Sequence, residues 1–90
     1  MTGGTAAEWR PRLHSSIVLR HDRTRGSDVL LMPERVVVLH GTARPVLDLC
    51  DGTRTVDEIS ARLAEGHPAQ TVRRDVEAFL NRMRTEGWLQ

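Results

Sequence analysis

The chain is 90 residues long with a formal net charge of +1, from 13 basic and 12 acidic side chains. That balance argues against strong electrostatic capture of nucleic acid or an anionic membrane, and three aromatic residues (Trp9, Phe79, Trp88) are too few for base-stacking platforms. A lone cysteine, Cys50, excludes an internal disulfide and fits a reducing compartment.

All the basic residues are arginine, which reads as the codon usage of a GC-rich genome. The N-terminus has no apolar signal region, and no run approaches the roughly 18 apolar residues of a membrane span. The sequence therefore reads as a cytoplasmic protein with no membrane partner. Residues 1–8 are small and polar and are expected to be a disordered tail, leaving one domain over 9–90.

"WRPRLH" is extended around Pro11. "SSIVLRHD" is rich in β-branched residues and predicts a first strand. "RTRGSD" predicts a turn, "VLLM" a second strand, Pro33-Glu34 a tight connection, and "RVVVLH" a third strand. These suit an antiparallel meander.

The apolar period then lengthens from 2 to 3.6. A first helix is expected over "ARPVLDLCD", capped by Thr42, with Pro45 in its first turn and Gly52 after its end. "TVDE" reads as a capping box for a second helix, Thr55 with Glu58. A third and longest helix is expected over 69–86, with Val72, Val76, Phe79, Leu80 and Met83 as its apolar stripe and Gly87 as its stop. Three strands then three helices make an α+β domain. The helices resemble a helix-turn-helix core, so the expected architecture is winged-helix-like, with a three-stranded antiparallel sheet in front.

A catalytic constellation is missing from the sequence, and the chain reads as a non-enzyme. His14, His21, His40 and His67 form no metal-ligand spacing, so neither a metal nor a cofactor is expected. Cys50 lies on an apolar stripe and reads as a buried small hydrophobe. On the third helix Arg73, Arg74, Arg82 and Arg84 are offset by Asp75, Glu77 and Glu86. A DNA-binding regulator is therefore a weaker reading than a solvated helix face.

The third strand is different. Arg35, Val37 and Leu39 share one face, and Val36, Val38 and His40 the other. Val37 and Leu39 are expected to pack on the helices. As last strand of a meander it has a free edge, blunted only by Arg35 and Pro33. Such an edge accepts an added peptide strand. It would otherwise be covered by the N-terminal arm, or by a second copy in a homodimer. The third helix would form the groove's second wall through Arg73, Asp75, Glu77, Leu80 and Arg84.

"RPRL", "LLMPERVVVLHGTA", "LCDGTRTVDEI", "DVEAFL" and "EGWL" together resemble the pyrroloquinoline quinone biosynthesis protein D (PqqD) family, in order and spacing from residue 10 to 89. The resemblance implies a peptide chaperone, the recognition element of a peptide-modification pathway. It would bind the ribosomal precursor peptide PqqA and present it to PqqE, a radical SAM enzyme that holds the iron–sulfur cluster and SAM itself. The peptide would add beside Arg35, Val36, Val37, Val38, Leu39 and His40, against the third helix. His40 stands where the family often has Asn, and Pro45 where a helix former is usual. These departures leave room for a sister pathway, such as a mycofactocin or lasso-peptide recognition protein.

Overall fold

The computed structural model describes residues 9–90, so the expected tail at 1–8 lies outside the described residues. Strands β1 (Val18–Asp22), β2 (Ser27–Met32) and β3 (Arg35–Val38) precede helices α1 (Ala43–Asp48), α2 (Val56–Leu63) and α3 (Ala69–Thr85). The sheet is an antiparallel meander in the order β1-β2-β3. Ser27 and Asp28, expected in the turn, extend β2 by pairing with Asp22 and His21.

The register fixes the two faces of the sheet. Leu30 pairs with Leu19 and Val37, and all three pack toward the helices. Leu31 pairs with Val18 and Val36 on the opposite face, where Val18 and Val36 stay about half exposed at 53% and 49%. Leu30, Leu47, Ile59 and Leu80 are the most deeply buried members of the common core.

The first helix is shorter than its pattern predicts. Thr42 stands at the N-cap with φ −95° and ψ 14° and makes no side-chain cap. That backbone is not the extended geometry in which an N-cap hydroxyl reaches the next turn. After Asp48 the chain tightens, with the Leu49 and Cys50 amides donating to the Val46 and Leu47 carbonyls three residues back.

Helix α2 begins as its sequence predicts. The Thr55 hydroxyl accepts from the Glu58 amide at 3.1 Å, and the Glu58 carboxylate accepts from the Thr55 amide at 2.8 Å. These bonds hold the Glu58 carboxyl below the usual carboxylate range, the amide of Thr55 contributing most. Thr55→Ala is expected to lower stability by about 1 kcal/mol, read by urea denaturation.

Helix α3 ends in a Schellman motif. The Trp88 amide donates to the Met83 carbonyl at 3.0 Å and the Gly87 amide to the Arg84 carbonyl at 2.9 Å, with Gly87 at φ 85°. Only glycine takes that backbone without strain. The motif turns Trp88 and Leu89 back over the core. There the Arg12 and Gln90 backbones exchange hydrogen bonds and the Leu13 amide donates to the Cys50 carbonyl. The arm at 9–13 is thus clamped between the C-terminus and the α1–α2 connection. This is not the position along β3 that would cover its edge.

Candidate functional site

The outer edge of β3 has no strand partner among the described residues. One hydrogen bond determines which groups it offers. The Leu39 amide donates to the Asp28 carbonyl at 2.9 Å, so residue 39 faces β2. Successive residues of a strand point their backbone groups to opposite sides. Arg35 and Val37 therefore also face β2, and the amides and carbonyls of Val36 and Val38 point outward. The opposite edge strand, β1, carries Arg20 and Asp22, charged side chains of the kind that blunt an edge.

A wall stands beside β3. Near its end, His40, Thr42, Ala43 and Val46 face Asp75, Val76, Phe79 and Arg82 of α3 across a depression of about 210 Å³. At its start, the Arg35 guanidinium lies over the Trp88 ring, 5.4 Å from its centroid. So the start of β3 lies by the end of α3, and the residues just past β3 lie across a depression from the middle of α3.

The apolar stripe of α3 has two flanks, and they face different neighbours. Arg73 bonds the Asp57 carboxylate of α2 and pairs with Glu77 at 3.4 Å. The Arg84 guanidinium stacks on Trp9 of the arm at 4.2 Å. Leu80 is fully buried, at the centre of the stripe between Val76 and Met83. Of the five helix residues expected on the groove wall, Asp75 lies beside the end of β3. Arg73, Glu77 and Arg84 lie toward α2 and the arm, and Leu80 lies in the core. The wall also includes Phe79 and Arg82, which the sequence reading left out. Phe79, four residues beyond Asp75 and at the border of the stripe, was the available signal.

On the strand, Val37 and Leu39 pack against the core while Val36 stays half exposed. Alternation along the strand thus separates the groups that hold β3 in place from those it presents.

The sequence model for Coenzyme PQQ synthesis protein D (PqqD) matches residues 29–89. The chain belongs to the PqqD family. The PqqA binding protein of Bradyrhizobium diazoefficiens is 38% identical to it over 82 residues, covering 89% of this chain and 80% of that protein. That of Xanthomonas oryzae pv. oryzae is 44% identical over 69 residues, covering 77% and 73%.

Among solved structures, the PqqD portion of Methylobacterium extorquens PqqCD superposes with a TM-score of 0.74 at 33% identity, covering 89% of this chain and 87% of that one. It is described as a functional, stand-alone recognition element for ribosomally synthesised, post-translationally modified peptides. PqqD from Xanthomonas campestris superposes with a TM-score of 0.59 at 34% identity, over 87% and 89% of the two chains. The winged-helix-like α+β architecture is that of the PqqD structures.

In this PqqD family member no buried side-chain nitrogen or oxygen among the described residues lacks a hydrogen-bond partner. Asp28 of β2 accepts from His21 of β1 at 2.9 Å and from Arg44 of α1 at 3.0 Å, and its carboxyl is held below the usual range, chiefly by the His21 bond. Its backbone carbonyl meanwhile receives Leu39, so one residue ties β1, the end of β3 and α1 together. No group of three His, Cys, Asp or Glu side chains converges among the described residues. No described helix is long and apolar enough to cross a membrane.

Cys50 is buried, with its thiol donating to the Val46 carbonyl at 3.3 Å. Burial, aided by the Asp51 charge, pushes that thiol from 9.0 up to about 12. Above pH 9.0 the unfolded thiol ionises while the native one stays neutral, so this group's contribution to stability falls from there toward pH 12 and is constant below. Iodoacetamide at pH 8 is expected to spare Cys50 in the native protein and to alkylate it in urea, as read by intact mass.

Proposed function

We propose that this protein binds the precursor peptide PqqA by strand addition at the free edge of β3, with α3 as the second wall. It then presents the peptide to the radical SAM enzyme PqqE. The observation that carries the reading is the outward backbone of Val36 and Val38 on a strand that leads, at His40, into a depression lined by Val46, Val76 and Phe79. Curated relatives described as PqqA binding proteins support the choice of peptide.

Backbone hydrogen bonds to Val36 and Val38 supply affinity that is indifferent to sequence. Side chains at alternate positions of the added strand would meet Phe79, and Asp75 and Arg82 would discriminate charge. The protein's contribution is to fix the peptide in extended form, and the chemistry belongs to the enzyme. Arg35–His40 remain the strand side of the proposed site. Asp75, Phe79 and Arg82 are its helix side, in preference to Arg73, Glu77, Leu80 and Arg84.

A homodimer through β3 would use the same outward groups and would compete with the peptide. Calorimetric titration with synthetic PqqA and a scrambled peptide of the same composition tests the reading. Binding of PqqA alone supports it, and equal heats or none for either peptide contradict it. Adding PqqE to the binary complex tests presentation: a single ternary peak in size-exclusion chromatography is expected, and release of the peptide would overturn that part.

A further inference from the structure

The β3 edge ends where Gly41, at φ 62°, turns the chain toward α1. The depression past His40 does not end there. A second depression of about 280 Å³ lies between the start of α1, the end of α2 and the start of α3. It shares Thr42, Val46, Asp75 and Val76 with the first, so the two form one trough over the same pair of valines. Its own walls are Pro45, Leu63, His67 and Val72. Pro45 is exposed, and Leu63 and Val72 are only half buried, although both pack against the core.

A strand running along β3 past His40 loses its backbone partner at Gly41. From there only side chains can hold it. The second depression is mainly apolar, with Thr42, His67 and Asp75 as its polar members, so it favours an apolar side chain. From this continuity we infer that the second depression is a subsite for one Leu-, Met- or Phe-sized side chain of the precursor peptide. That side chain lies just outside the segment that pairs with β3. With antiparallel pairing, the more stable arrangement per residue, the anchor lies N-terminal to the paired segment. The subsite makes Pro45, Leu63 and Val72 specificity-determining residues of a site longer than the sheet edge. This inference rests on the strand-addition reading.

The test uses synthetic PqqA with Pro45→Glu and Val38→Pro variants, and follows the methyl resonances of Leu63 and Val72. Pro45 touches the second depression and not the first. Glutamate in the first turn of a helix is well tolerated, so Pro45→Glu should fold. The expected result is about tenfold weaker PqqA binding by Pro45→Glu, with Leu63 and Val72 methyls shifting on titration of the unaltered protein. Unchanged affinity and silent methyls, with binding still lost in Val38→Pro, would overturn the subsite and leave strand addition standing. Unchanged binding by Val38→Pro would remove strand addition, and the subsite with it.

Discussion

Val38→Pro is expected to weaken PqqA binding about tenfold or more while leaving the domain folded. The Val38 amide points away from β2, so proline there removes no bond of the existing ladder. It removes one of the two outward donors offered to an added strand, about 1 kcal/mol. It also places a ring carbon where the incoming carbonyl would sit, and each further 1.4 kcal/mol is about another tenfold. Proline is tolerated on an edge strand when its missing amide faces outward.

Val37→Pro is the control, because the Val37 amide faces β2 and its side chain packs on the core. It should cost about 2–4 kcal/mol of stability. Calorimetric titration gives the affinities, and far-UV circular dichroism with thermal melting gives the fold. Equal affinity for Val38→Pro and the parent would contradict strand addition at this edge.

Leu80→Ala is expected to act on stability. Leu80 is fully buried among residues from the sheet and all three helices. Truncation leaves a cavity that costs about 3 kcal/mol, a large share of the 5–15 kcal/mol typical of a domain. In a chain this small the midpoint of thermal unfolding should fall by roughly 10–20 °C. Arg73→Ala, which breaks a partly exposed pair with Asp57, should change stability by no more than about 1 kcal/mol. A Leu80→Ala variant as stable as Arg73→Ala would contradict the core described above.

These two residues show how far the sequence could be read. Three strands, then three helices, were legible because the period of apolar residues changes from two to nearly four after His40. Thr55, Glu58 and Gly87 mark helix ends by local chemistry, and the structure has them in those roles. The faces of β3 were legible for the same reason, since alternation leaves one assignment once the helices must be covered.

The flank of α3 was not legible. Arg73 and Asp75 lie on either side of the same stripe, and spacing along one helix says nothing about which side meets β3. That is decided by how α2 packs, where Asp57 takes Arg73, and by how the arm lies, where Trp9 takes Arg84. Both contacts join residues far apart in the chain. Thr42 failed as a cap for a related reason: Gly41 sets the backbone entering α1, and the residue type alone does not reveal it. Pro45, neutral in a helix reading, is exposed at the rim of the second depression.

The most direct test of the central claim is an amide-resonance titration of the protein with synthetic PqqA. Strand addition predicts large shifts at Val36, Val38 and His40, with smaller ones at Asp75, Phe79 and Arg82. It also predicts slowed hydrogen exchange of the Val36 and Val38 amides in the complex. Shifts confined to Arg73, Arg84 and the arm, with the β3 amides exchanging as before, would contradict it.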